Sequence, residues 1–202
     1  MRYTKIFSLL ALASFSLTAH AQFSQPWTPN AKGFTTRVPN CTSPMGLPGA
    51  AFDDFVSATT ANLTKLVWWG NVSGPAQLNK PVVVAIYPST PGSCFPGLAA
   101  PIYTSCVTPI SSTLVGIDCL GRRVYRFKGL LPGGVTVVPG TKYWLQISEN
   151  DSVSVTPGAD DFKWCGHFGN VGCPAIQIAP TGVTVQPLTG CGALCDLAFR
   201  IG

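Results

Sequence analysis

Glycine and proline interrupt this chain too often for helices to build it. The sequence holds 21 Gly and 18 Pro, and each costs a helix interior roughly 1 to 3 kcal/mol relative to alanine. Beyond the amino-terminal leader, no stretch keeps a 3.6-residue apolar period with caps. Short runs rich in Val, Ile, Thr and aromatic residues lie between the breaks, and runs of this kind predict β-strands. The clearest is 141–148, where Tyr143, Leu145 and Ile147 share one face and Trp144, Gln146 and Ser148 the other.

Further strands are predicted at 81–87, 111–117, 122–128 and 135–138, and weaker ones at 161–165, 175–178 and 183–185. In 122–128, Arg123, Tyr125 and Phe127 oppose Arg122, Val124, Arg126 and Lys128. The closing run 196–201 places Leu197, Phe199 and Ile201 inward. Turns are expected at 131–134, at Pro139-Gly140 and at the polar trio Glu149-Asn150-Asp151. Short strands with frequent turns predict an all-β fold, an antiparallel β-sandwich or jelly roll, as one domain over 51–202.

The amino terminus carries Arg2 and Lys5, an apolar run over 6–17, and the small-residue site Ala19-His20-Ala21. These are the parts of a secretory signal peptide over 1–21, and the apolar run is shorter than the ~20 residues a spanning helix needs. Residues 22–50, rich in Pro, Thr, Asn and Gly, read as an irregular lead-in. Of 13 basic residues two leave with the leader, so 11 face 8 acidic ones. That balance does not predict a nucleic-acid groove, and the cluster Arg122, Arg123, Arg126 and Lys128 reads as a solvated strand face.

An exported chain keeps its cysteines oxidised. Disulfides are therefore expected from Cys41, Cys94, Cys106, Cys119, Cys165, Cys173, Cys191 and Cys195. Eight cysteines allow 105 pairings. Proximity favours Cys94–Cys106 and Cys165–Cys173, while Cys191 or Cys195 could reach back to Cys41 or Cys119.

The stretch 52–70 concentrates chemistry. It reads as two short strands, 52–56 and 63–70, joined by the small polar linker 57–60, and carries Asp53, Asp54, Trp68 and Trp69. Neighbours on a strand point to opposite faces, so each pair offers one residue per face. Catalysis has little to use. His167 is the one histidine left after the leader, no nucleophile elbow or zinc-protease motif occurs, and no catalytic residue is assigned. A carboxylate glycosidase would need one acid from Asp53-Asp54 and one from Asp160-Asp161 across a cleft. Calcium suits such oxygen ligands better, with Asp53, Asp160 and Asp151 as candidate metal ligands.

Aromatic rings offer a binding route that needs no histidine. Trp69, Trp144 and Tyr87 are the candidate contacts for stacking on sugar rings, with Asp54 and Asp161 accepting from hydroxyls. The competing reading places these rings in the core.

Four segments carry a likeness: 52–55, the run ending Trp68-Trp69-Gly70, 143–147 and 196–201. Together they resemble uncharacterised exported bacterial β-sandwich domains found in proteins with a PEP-CTERM sorting tail. No such tail is expected after the strand 196–201. The resemblance implies a jelly-roll-like fold and an extracellular setting, and it supplies no catalytic residues. The expected function is a secreted, non-enzymatic sandwich at the cell surface that binds glycan or other surface proteins. The alternative is a self-assembling subunit of an extracellular matrix or filament, ahead of a carboxylate-dependent glycoside hydrolase.

Overall fold

The stretches with a period-two apolar pattern form strands, and the strands build two antiparallel sheets packed together. The computed structural model describes residues 23–38, 49–97, 100–153, 162–168, 172–178, 185–190 and 193–202. Its strands are β1 Phe23–Gln25, β2 Gly33–Thr35, β3 Arg37–Val38, β4 Ala51–Val56, β5 Ala61–Val72, β6 Val82–Pro88, β7 Tyr103–Val107 and β8 Ser111–Ile117. They continue with β9 Arg123–Val137, β10 Lys142–Asn150, β11 Phe162–Phe168, β12 Ile176–Ile178, β13 Val185–Pro187, β14 Thr189–Gly190, β15 Ala193–Leu197 and β16 Phe199–Ile201. No α-helix occurs among the described residues, and no helix is long and apolar enough to cross a membrane.

The nine-stranded sheet is organised on β5. One edge of β5 pairs with β9, which pairs in turn with β8; the other edge pairs with β16 and then β11. The seven-stranded sheet runs β13-β12-β4-β10-β6-β7, with β3 joining β10 in parallel. The two strands of 52–70 therefore part company: β4 enters one sheet and β5 the other.

Between the sheets lies the main core. Leu66, Trp68, Phe127, Trp164 and Phe199 from one side meet Phe55, Val84, Ile86, Tyr143, Leu145 and Ile147 from the other. Trp68 stacks on Phe127 at 5.4 Å between ring centroids, and Phe55 stacks on Tyr143 at 5.6 Å. Leu197, Phe199 and Ile201 are fully buried, as their alternation predicts.

Three expectations are corrected. The lead-in is not irregular throughout, because β1 pairs with β16, β2 with β11 and β3 with β10. These strands have only two or three residues, too few to display a period. The Leu131-Pro132-Gly133-Gly134 segment does not reverse the chain. It is a bulge within the 15-residue β9, which pairs with β5 on both sides of it. Gly133 and Gly134 hold φ of 75° and 65°, a region glycine enters without steric cost. Glu149 and Asn150 are buried strand residues of β10 rather than a turn, and the chain leaves the strand in a short 3-10 segment, Asp151–Val153.

Candidate functional site

Pairing across β4, β10 and β6 brings three of the predicted ligand residues side by side. Trp144 is the register partner of Asp54 on one flank and of Tyr87 on the other. All three point away from the main core, yet none reaches solvent: Trp144 and Tyr87 are 0% exposed and Asp54 1%. The two rings belong to a second, smaller core on the outer side of this sheet, with Ala50, Phe52, Ala85, Cys173 and Ile176. The polar atoms find protein partners. Trp144 Nε1 donates to Ser89 Oγ (3.2 Å), and the Tyr87 hydroxyl donates to Gln146 Oε1 (3.1 Å). The outward orientation was expected; the cover over it was not, and rings so enclosed cannot stack on a sugar.

The same cover explains Asp54. The Cys173 amide donates to its Oδ1 (3.1 Å), and the Lys142 ammonium lies 3.6 Å from its Oδ2. Burial raises its pKa, and Lys142 opposes the rise. Beside it Cys173 is bonded to Cys94, 79 residues away in sequence. This bridge overturns both pairings that proximity favoured. Cys165 is a free, buried thiol, which also corrects its assignment to a disulfide. Cys106 and Cys119 are disulfide-bonded as well, whereas Cys41 and Cys191 lie outside the described residues.

Asp53 faces the opposite way, into the main core, and is 0% exposed. Its Oδ2 accepts from the Leu197 amide and from Gln25 Nε2, and its Oδ1 from the Asp54 amide (2.8 Å). A carboxylate on β4 thus ties one sheet to β1 and β15 of the other. Burial first, then the nearby Asp196, pushes its pKa well above the usual carboxylate range. Asp151, the other described metal candidate, stands six residues beyond Leu145, the register partner of Asp53. At about 3.3 Å per residue the two are roughly 20 Å apart, so they do not form one calcium site. Among the described residues no three His, Cys, Asp or Glu side chains cluster as metal ligands. Asp160 and Asp161 lie outside the described residues.

Trp69 points outward from the nine-stranded sheet, as the split between neighbours predicts, but it is only 6% exposed. It packs with Val124, Cys165 and Ala198 and against Trp27 and Val67, and the Arg200 guanidinium sits 5.8 Å from its ring. His167, on β11, is held by the lead-in: its Nδ1–H donates to the Pro26 carbonyl (2.7 Å). The Thr28 hydroxyl accepts from the next amide, Phe168 N (3.0 Å). This arrangement is a structural clasp for β11.

The feature sequence reasoning missed is an edge. Among the described residues β8 pairs with β9 on one side only, and its residues stay exposed along most of their length. Leu114, Ile117 and the following Leu120 are 53%, 57% and 59% exposed, and Ile110 just before the strand is 66% exposed. Trp27 packs over Gly116, and Asn30 bridges to Asp118, so the carboxyl end of the strand is occupied, and among the described residues no strand lies beside 110–114 on its far side. No Lys, Arg, Asp or Glu occurs from 107 to 117. Exposed edge strands normally carry charge, proline or a cover that prevents pairing with another chain; this one has a bulge near its end, between Leu114 and Gly116. The signal was present in the run Ile110 to Ile117, which lacks charge, but sequence does not say which strand ends a sheet. Compared with known proteins, the chain matches no family model and no curated protein.

Proposed function

We propose that this chain is a secreted, non-enzymatic structural β-sandwich that associates with further copies of itself through the open edge of β8. The carrying observation is that edge: a strand side with no partner among the described residues, largely exposed and without charge from Ile110 to Leu114. A second copy meets it with no like-charge penalty. Antiparallel pairing of 110–114 with itself brings only Ile, Ser, Thr and Leu together, side chains that pack or hydrogen-bond across strands. Such pairing about a twofold axis is self-complementary. The burial of Trp144, Tyr87 and Asp54 supports a structural use of those residues over a sugar-stacking one. The enclosure of Asp53 and Asp196 argues against carboxylate catalysis.

Sedimentation velocity across a concentration series tests the proposal. The mature chain is expected to self-associate, and Thr113→Lys is expected to leave a folded monomer. A strictly monomeric wild type at high concentration, or association unaffected by Thr113→Lys, would overturn it.

A further inference from the structure

Folding sorts the charges of this protein by sign. Of the described acidic residues, Asp53, Asp54, Asp118, Glu149 and Asp196 are buried. Lys65, Lys80, Arg123, Lys128 and Arg200 are exposed. The surface is therefore more cationic than the overall balance of residues suggests, and such a surface attracts anionic partners.

Three cations, Arg122, Arg123 and Lys163, meet at one place. A cleft of about 470 Å³ opens at the end of the nine-stranded sheet, where the end of β5 and the turn after it face the start of β9 and Lys163 of β11. Arg122, Arg123, Lys163 and Tyr125 line it, and none of the described lining residues is acidic. Its floor is rigid. Asn71 is buried, donates from Nδ2 to the Arg123 carbonyl (2.8 Å), and accepts from the Cys165 thiol (3.3 Å). Only glycine fits beside that amide: a Cβ on Gly33 would lie 2.1 Å from Asn71 Oδ1.

Arg122 is fixed in turn. Its Nε donates to Asp118 Oδ2 (2.7 Å) and its Nη2 to the Gly33 carbonyl (3.3 Å). The amides of Leu120 and Arg122 both donate to Asp118 Oδ1, at 2.9 and 2.8 Å. Arg123, one residue on, is exposed and has no acidic partner among the described residues.

We infer that this cleft binds the carboxylate or sulfate group of an acidic saccharide. A guanidinium presents paired donors that match a planar or tetrahedral oxyanion. The half-buried Tyr125 and the exposed Ser73 hydroxyl stand beside the cations and suit a sugar ring and its hydroxyls. The volume falls in the range of small-molecule sites. This site lies apart from the open segment 110–114 and does not depend on self-association.

The test is binding of the mature chain to polygalacturonate at low ionic strength, with inorganic sulfate as competitor and dextran and single-stranded DNA as comparison polymers. Polygalacturonate is expected to bind, sulfate to displace it, and dextran not to bind. Arg123→Gln should weaken binding about tenfold, the scale of one lost charge-assisted hydrogen bond, with an unchanged melting temperature. Lys65→Gln, an exposed cation six residues along β5 from Asn71 and so roughly 20 Å away, should change it less than twofold. Equal losses from the two variants would show diffuse surface attraction and overturn the site. Stronger binding of DNA than of polygalacturonate would overturn the saccharide assignment, and absence of binding to any of these anions would overturn both.

Discussion

Cys94 is bonded to Cys173 across 79 residues of sequence, and the Lys142 ammonium lies 2.9 Å from the Cys173 sulfur. Cys94 is exposed and Cys173 buried, so the bridge pins a surface loop to the outer core that encloses Trp144 and Tyr87. Closing so long a loop restricts the unfolded chain. Replacing both cysteines by serine is expected to cost about 2–5 kcal/mol. Denaturant titration checks this, and an unchanged midpoint would refute it.

Trp144 acts as a core residue despite its outward orientation. Trp144→Ala should destabilise the fold by about 3–5 kcal/mol, the range for a buried aromatic ring. Leu114→Ala on the exposed edge should stay within about 0.5 kcal/mol. Equilibrium unfolding of the two variants gives the comparison; equal effects would mean that the ring is not enclosed in solution.

Asp53 makes stability depend on pH in a stated direction. Its folded pKa is raised by burial and then by Asp196. The folded state therefore holds its proton to higher pH than the unfolded chain does. Its favourable contribution is complete below the ordinary aspartate value of about 3.9 and is lost as pH rises through the folded value. Asp118 works the other way. Burial pushes its pKa up, but the Arg122 hydrogen bonds and charge outweigh burial and hold it below the usual value. Its contribution is present above the ordinary value and is lost as pH falls through the folded one. Asp53→Asn should flatten the fall in melting temperature above pH 4, and Asp118→Asn should flatten the fall at more acid pH. Melting curves from pH 2 to 8 read both slopes, and a profile unmoved by Asp53→Asn would count against the buried proton.

Cys165 should be chemically silent in the native protein. It is 0% exposed, and burial first, with Asp118 adding to it, pushes the thiol pKa upward. An alkylating reagent is expected to leave Cys165 unmodified under native conditions and to label it once the chain is unfolded. Peptide mapping locates the label; rapid native modification would show that the outer face opens.

Much of the strand pattern was legible because alternation and turn chemistry are local. Tyr143 with Leu145 and Ile147 announced β10, and Leu197 with Phe199 and Ile201 announced the closing strands. The errors share a cause. Pro132-Gly133-Gly134 has the composition of a turn, and only pairing of β9 with β5 on both sides makes it a bulge. The short strands β1 to β3 carry no period of their own; their partners create them. Three of the proposed ligand residues did fall in one row, in the register of β4, β10 and β6. That the row is covered could not be read from it.

By itself, then, the sequence determined an all-β chain and the face each strand residue takes, because those properties are set by residues one or two positions apart. The tertiary structure decided which outward faces stay wet. It buried Trp144, Tyr87 and Asp54 under a cover held by the Cys94–Cys173 bridge, and left 110–114 as an edge with no further strand beside it among the described residues. Exposure depends on what packs above a side chain, and those neighbours come from segments tens of residues away.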